Sequence, residues 1–338
     1  MRHVLDHLVE TLNRDESAIL CTIIRNTGSA PRTSGARMLV TRSGALAGSI
    51  GGGALENACQ ARARQMFESS ETFAEMTFQL TATLAAKDGL ICGGNVSILL
   101  MRIEPEQHPF FVKLQETYRS RKRPLLVTAL AFADVPPQLT LVTSDECGEL
   151  PTDILREILR QNSRHTSLTT YAGREYFIEP LLHPGTVYLA GAGHVGLATA
   201  TCAAFAGFDV VVMDDRAEFA NRSRFPKAHD IRLLSSFNNC LPKELGTEDY
   251  VVILTRGHLH DRNVLAQALN TDAGYIGMIG SRRKREAIYR SLRDEGFSEA
   301  ELQRVHSPIG LDIGADTPEE IGISIVAQLI QTRAGTRQ

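Results

Sequence analysis

The chain has 338 residues, enough for about two domains, and its 43% hydrophobic and 22% charged residues are usual for globular proteins with buried cores. A formal net charge of −3 argues against general binding of nucleic acids, which requires a basic surface. No apolar run approaches the ~20 residues that span a membrane, and six widely spaced cysteines without a CxxC motif predict reduced thiols and a cytoplasmic location.

The N-terminal half, residues 1–182, is predicted to form a mixed α/β domain. Apolar residues recur at helical spacing over 3–13, and the apolar run 18–24 is typical of a buried strand. Residues 36–41 are the predicted antiparallel partner of that strand. Downstream we predict strands at 74–83, 95–103, 125–131, 139–143 and 175–182, and helices at 54–67, 108–120 and 152–160.

A glycine-rich loop precedes the helix predicted at 54–67. The consecutive glycines Gly51, Gly52 and Gly53 permit backbone conformations whose amides surround an anion near a helix N-terminus. The Lys-Ser/Thr pair of nucleotide-hydrolysing loops is missing from this stretch, so we predict binding rather than hydrolysis. Glu56 is either a ligand contact or an acid that interacts favourably with the helix dipole.

Cys92 is the cysteine best suited to a chemical role. Two glycines follow it and leave its sulfur approachable, and a nearby cation would favour the thiolate. The alternative is a small buried hydrophobic side chain, the usual environment of an isolated cysteine. Arg32 and Arg37 bracket a turn and either reach the same cleft or form exposed ion pairs.

The C-terminal half, residues 186–335, is predicted to form a Rossmann-like, doubly wound parallel sheet. Strands predicted at 187–190, 209–213, 250–255 and 275–279 alternate with helices, which is the pattern of such a sheet. A last helix is predicted at 318–332. Thr317 as N-cap and Glu320 three residues later form the capping box that begins this helix.

A Gly-x-Gly-x-x-Gly motif follows the first of these strands. Gly191, Gly193 and Gly196 occupy the three glycine positions and precede a helix, the arrangement that binds a pyrophosphate at the helix N-terminus. Asp214 follows about 20 residues later, where an acidic side chain accepts a ribose hydroxyl. The motif therefore predicts a phosphate-bearing ligand, and His194 lies within it.

Further polar loops follow other predicted strands, at the edge where parallel sheets bind ligands. His258, His260 and Asp261 suit a metal, a phosphate or a polar ring, or else Asp261 caps the next helix. Residues 280–285, with Ser281 as N-cap and four cations, predict an anion site or a solvated basic helix face. Residues 307–316, including Asp312, predict a pocket wall or a simple turn.

The Rossmann motif alone is compatible with an NAD(P)-dependent oxidoreductase. In that interpretation Asp214 holds the adenosine ribose, and His258 or His260 transfers a proton. Because no complete set of ligands or of catalytic groups occurs in the sequence, we assign no metal ligands and no catalytic residues.

Taken together, these segments resemble the xanthine dehydrogenase accessory proteins, also called the XdhC/CoxI family. The resemblance extends over nearly the whole chain. It is carried by ordered blocks at residues 28–32, 35–38, 48–56, 92–94, 191–196, 214–216, 255–261, 277–284 and 307–320.

The resemblance implies an assembly factor rather than an enzyme. Such a factor binds molybdenum cofactor as cargo and assists its sulfuration and insertion into a molybdenum hydroxylase of the xanthine dehydrogenase type. The implied partners are the hydroxylase apoenzyme, a cysteine desulfurase and a second copy of the chain. NAD(P) or another nucleotide is a further candidate ligand of the Rossmann site.

The candidate cofactor-binding residues lie in both halves, and we expect the halves to face each other across one cleft. They are Gly51, Gly52, Gly53, Cys92, Gly191, Gly193, His194, Gly196, Asp214, His258, His260 and Asp312.

Overall fold

The computed structural model of the chain describes residues 1–28, 32–79, 94–119, 124–143, 148, 150–161 and 165–335. The chain divides into two compact units, Met1–His183 and Pro184–Gln338. Across the described residues, no helix combines the length and apolar composition needed to cross a membrane.

The first unit contains two antiparallel sheets. The strands of the larger sheet, in the spatial order β3-β2-β1-β5-β4, are β1 (Ala18–Gly28), β2 (Arg37–Thr41), β3 (Leu46–Gly48), β4 (Phe73–Gln79) and β5 (Gly94–Ile103). The strands of the smaller sheet, in the order β7-β6-β9-β8, are β6 (Leu125–Ala129), β7 (Gln138–Val142), β8 (Ser167–Tyr171) and β9 (Arg174–Pro180). The predicted antiparallel pairing of the first two strands is confirmed, with Leu20 opposite Leu39.

Helices cover both faces of the larger sheet. The helices of this unit are α1 (Arg2–Asn13), α2 (Gly53–Glu68), α3 (His108–Arg119) and α4 (Thr152–Gln161). The apolar stripe of α1 packs with Leu20 of β1, whereas Cys59 and Met66 of α2 pack with Ile19 on the opposite face. Strand β1 is therefore buried on both faces, which explains its unbroken apolar sequence.

Arg37 forms a buried ion pair with Glu179 rather than an exposed one. Arg37 begins β2 and Glu179 lies in β9, so the pair connects the two sheets of this unit. Burial raises the pKa of the Glu179 carboxyl, although the Arg37 guanidinium opposes that rise.

The second unit is built on a six-stranded parallel sheet in the order β12-β11-β10-β13-β14-β15. Its strands are β10 (Thr186–Ala190), β11 (Asp209–Asp214), β12 (Asp230–Leu233), β13 (Asp249–Ile253), β14 (Tyr275–Met278) and β15 (Val305–His306). Its helices are α5 (His194–Phe205), α6 (His258–Leu269), α7 (Arg282–Asp294), α8 (Glu299–Leu302) and α9 (Pro318–Gly335).

Alternate residues of the central strand β10 enter two different cores. Val187 and Leu189 pack with helices α5 and α9, whereas Tyr188 and Ala190 pack with α6 and α7. Helices on both faces of a parallel sheet confirm the predicted doubly wound, Rossmann-like fold.

The start of α9 confirms the predicted capping box. The Thr317 hydroxyl accepts from the Glu320 amide at 3.2 Å, and a Glu320 carboxylate oxygen accepts from the Thr317 amide at 3.1 Å. These reciprocal bonds satisfy backbone donors that the first helical turn leaves unpaired.

Candidate functional site

Three polar segments meet at the carboxyl edge of the parallel sheet. Strand β10 lies between β11 and β13, so the chain order reverses on either side of it. Such a reversal opens a crevice in which ligands of open α/β sheets bind. The turn 191–196 follows β10, Asp214 ends β11, and the loop 254–257 follows β13. The fold therefore brings these segments to one edge.

The three motif glycines have different physical roles. Gly191 has a φ of +114°, and a Cβ there would lie 2.3 Å from the Leu254 carbonyl oxygen. A Cβ at Gly196 would lie 2.2 Å from the Gly191 carbonyl oxygen, so this glycine permits close packing of helix and strand. A Cβ at Gly193 would meet nothing within 4 Å, which leaves open space at this position.

The N-terminus of α5 adjoins that open space. Gly193 is the N-cap residue and supplies no side-chain acceptor to the first-turn amides. His194 is exposed at the first helical position. An uncapped helix N-terminus favours an anion, since its amides and the helix dipole both attract negative charge.

Both carboxylate oxygens of Asp214 already accept hydrogen bonds within the protein. Its Oδ2 accepts from the Ala192 amide at 2.8 Å and from Arg216 Nη2 at 3.0 Å, and its Oδ1 accepts from the amide and the Nε of Arg216. Burial acts to raise the pKa of this carboxyl, but the hydrogen bonds from Arg216 and Ala192 outweigh it and lower the pKa. Asp214 thus ties the glycine turn to the end of β11.

Asp215 and Arg256 form an ion pair across the crevice. Arg256 Nη2 donates to Asp215 Oδ2 at 2.8 Å, and the two residues follow β11 and β13, on either side of β10. Asp215 Oδ1 is buried without a hydrogen-bond partner among the described residues. The sequence patterns do not predict this pair. The features of the sequence that could have indicated it are an acidic residue next to Asp214 and a cation just after a predicted strand.

The two candidate histidines have different surroundings. His258 is exposed at the start of α6, whereas the His260 ring packs on Phe237 with their centroids 5.0 Å apart. No group of three or more potential metal-binding side chains occurs in the described part of the chain.

Asp261 supports the loop before α6. It is the fourth residue of the helix and is fully buried. Its Oδ1 accepts from the Thr255 hydroxyl at 2.5 Å and from the Thr255 amide at 3.2 Å, and its Oδ2 pairs with Lys284. The interpretation of Asp261 as an N-cap is therefore wrong, because Gly257 occupies that position.

The loop 307–316 is held against α9. Gln328 accepts from the Gly310 amide at 2.9 Å, and the Ser324 hydroxyl donates to the Leu311 carbonyl at 2.6 Å. Asp312 is exposed in this loop.

The glycine loop of the first unit already holds an acidic side chain. A carboxylate oxygen of Glu56 accepts from the Ser49 hydroxyl at 2.7 Å and from the amides of Gly52 at 2.9 Å and Ile50 at 3.2 Å. Gly51, Gly52 and Gly53 all have positive φ, which allows the chain to wrap around this carboxylate. Cys92 lies outside the described residues.

Two family patterns match the sequence. The XdhC Rossmann domain matches residues 187–329. The XdhC and CoxI family matches residues 11–79.

Relatives of similar length align along nearly the whole chain. It is 29% identical to a protein of Bacillus subtilis (strain 168) described as a probable xanthine dehydrogenase subunit, over 98% of the chain and 96% of the relative. It is 23% identical to the molybdenum cofactor insertion chaperone PaoD of Escherichia coli (strain K12), over 98% of the chain and 88% of PaoD. The crystal structure of a xanthine dehydrogenase from Bacillus halodurans shares the fold, with a TM-score of 0.78, 24% identity, and coverage of 99% and 97% of the two chains.

Proposed function

Because this chain belongs to the XdhC and CoxI family, we propose that it binds molybdenum cofactor and assists its sulfuration and insertion into a xanthine dehydrogenase-type hydroxylase. The observation that carries this proposal is the open, uncapped N-terminus of α5 at the reversal point of the sheet. The cofactor is a pterin that bears a phosphate group, and a helix N-terminus favours phosphate. The similarity to PaoD, an insertion chaperone, supports the same function.

In this proposal the chain carries its ligand rather than transforming it. The phosphate lies at the first-turn amides of α5, with Gly193 leaving room for it and His194 beside it. Asp214 positions the turn through the Ala192 amide. Cys92 and the loop Gly51–Gly53 are proposed as further cofactor contacts, and a second copy of the chain and a cysteine desulfurase as partners.

The alternative of an NAD(P)-dependent oxidoreductase draws support from the strand order, which matches dinucleotide-binding folds. The contacts of Asp214 weigh against it, because both of its carboxylate oxygens are engaged with Arg216 and a ribose would have to displace an ion pair.

Gly193→Asp tests the cofactor site without weakening the helix. Gly193 has φ −66°, which any residue adopts, and aspartate is a favoured N-cap residue. Its carboxylate would occupy the place of the phosphate and repel it. We expect the purified variant to carry less molybdopterin by about tenfold, measured by pterin fluorescence and by mass spectrometry of molybdenum.

Gly335→Asp is the matched control. It makes the same change at the exposed last residue of α9, away from the first turn of α5, where a Cβ meets nothing within 4 Å. In a strain that lacks this chain, we expect the hydroxylase to be made but inactive, with activity restored by the control and not by Gly193→Asp. Equal cofactor content in the two variants, or an active hydroxylase in the deletion strain, would contradict the proposal.

A further inference from the structure

A basic cavity of about 950 Å³ opens between the first turns of α6 and α7. Its cationic lining comprises Arg256, Arg262, Arg283 and Lys284, and its apolar lining includes Leu259 and Ile288. None of its described lining residues is a carboxylate, and none belongs to the glycine turn 191–196. Its volume is within the range of small-molecule sites.

The start of each helix contributes to this cavity. Gly257 and Ser281, the N-cap residues of α6 and α7, both line it. Ser281 caps its own helix through the Lys284 amide, but Gly257 supplies no side-chain acceptor to α6. Both helix dipoles therefore add positive potential, and no side chain among the described residues caps the first turn of α6.

Three of the four cations are held in place by carboxylates that lie outside the lining. Lys284 pairs with Asp261, Arg262 with Glu295, and Arg256 with Asp215. These pairs fix the positions of the cations and leave the cavity itself free of acids. Ordered cations of this kind bind an anion with little loss of side-chain entropy.

Arg283 carries the uncompensated charge of the cavity. It is exposed, and within the described residues it has no hydrogen bond or ion pair. With the other cations paired, this guanidinium and the two helix N-termini attract a compact anion. A phosphate fits this set, since guanidinium and helix amides both donate to its oxygens.

The apolar wall indicates what the anion is attached to. The Leu259 side chain is 61% exposed although it lines the cavity, and the buried Ile288 lies on the opposing helix. A ligand that covered Leu259 would gain burial of apolar surface in addition to its charge contacts. An inorganic anion would leave this surface in water.

We propose that this cavity is a second ligand site, which binds the phosphate ester of a small organic molecule. The apolar wall beside the cations favours an organic phosphate over an inorganic anion, and the binding experiments below distinguish a small molecule from an acidic protein surface. The cavity shares Arg256, Gly257 and His258 with the polar edge described above, but no residue of the turn 191–196 lines it, so the inference does not rest on the proposed function.

The test is site-resolved amide NMR of the full chain carrying Gly193→Asp. This substitution is expected to prevent phosphate binding at the glycine turn 191–196. The probes are adenosine monophosphate, adenosine and inorganic phosphate. We expect adenosine monophosphate to shift the amides of His258, Leu259 and Arg283 saturably, inorganic phosphate to bind about tenfold more weakly, and adenosine not to bind. Absence of a saturable shift with adenosine monophosphate would overturn the proposal, and so would equal affinity for inorganic phosphate.

Two variants and a control distinguish a specific binding site from non-specific electrostatic attraction of the phosphate to basic residues. Gly257→Asp places a capping carboxylate in the cavity, and a Cβ there meets only His260 Cδ2, at 3.9 Å. We expect this change or Arg283→Glu to weaken binding by about tenfold or more, and Arg290→Glu, two turns along α7 and outside the lining, to leave it unchanged. Equal losses in Arg283→Glu and Arg290→Glu would overturn the site. If Gly257→Asp or Arg283→Glu abolished binding of the hydroxylase but left binding of adenosine monophosphate intact, the cavity would be a protein-contact surface instead.

Discussion

Asp214 and Asp230 are each followed two residues later by an arginine partner, but the burial of the two pairs differs. The Asp214 side chain is 2% exposed and the Asp230 side chain is 44% exposed. A buried carboxylate depends on its partner far more than an exposed one, because water solvates the latter. Asp214 therefore stabilises the edge of the sheet, whereas contact of its side chain with a ligand stays a prediction.

Asp214→Asn is expected to lower the free energy of unfolding by about 3 kcal/mol, because it leaves the Arg216 fork and a buried amide poorly paired. Asp230→Asn, the matched control, is expected to cost about 1 kcal/mol or less. Urea denaturation at neutral pH measures both. Similar losses in the two variants would contradict the structural role of Asp214.

The Asp214 contribution also depends on pH. Its pKa is lower in the folded chain than the ordinary value of about 3.9, so the unfolded chain binds the proton more readily. The stabilisation is therefore complete above about pH 4 and is lost as the pH falls through the lower, folded pKa. We expect the difference between wild type and Asp214→Asn to shrink only in that acidic range.

At the scale of elements, long periodic segments are predictable, whereas among the short edge strands only β7 corresponds to a predicted strand, at 139–143. The predicted helices at 3–13, 54–67 and 318–332 correspond to α1, α2 and α9 within a few residues. The sequence patterns miss β3, β8, β12 and β15, which are two to five residues long and lie at or near sheet edges. Such strands are set by pairing with a neighbour, which a local apolar pattern does not record.

The glycine loop before α2 offers a test at the same scale. Glu56→Ala removes the acceptor of the Ile50 and Gly52 amides, so we expect a loss of about 1–3 kcal/mol of stability and faster hydrogen exchange at both amides. Glu68→Ala, at the exposed last position of the same helix, is the control and should change neither. Unaltered exchange in Glu56→Ala would show that the loop holds its conformation without this carboxylate.

At the scale of the whole molecule, each unit has its own cores. The two clusters around the parallel sheet draw only on residues 187–329, and the three clusters of the first unit draw only on residues 1–181. A segment with complete cores of its own is able to fold alone.

We therefore expect the isolated segment 184–338 to retain its fold. Its far-ultraviolet circular dichroism should show a mixed α/β content, and urea should unfold it in a single cooperative transition. An unfolded or non-cooperative fragment would contradict the independence of this unit.

The sequence by itself determined the fold class, the family and the position of the glycine turn, because these depend on local periodicity and on motifs whose spacing is written along the chain. Only the tertiary structure decided what the polar side chains do. Asp214 and Glu56 match ligand-binding patterns, yet the carboxylate of each accepts hydrogen bonds from backbone amides of nearby loops. The cavity between α6 and α7 joins residues from two loops that become neighbours only because β13 and β14 pair in the sheet. Structural acids are distinguished from open ligand sites by their hydrogen-bond partners, by their burial and by the strand order. These features depend on residues distant in sequence.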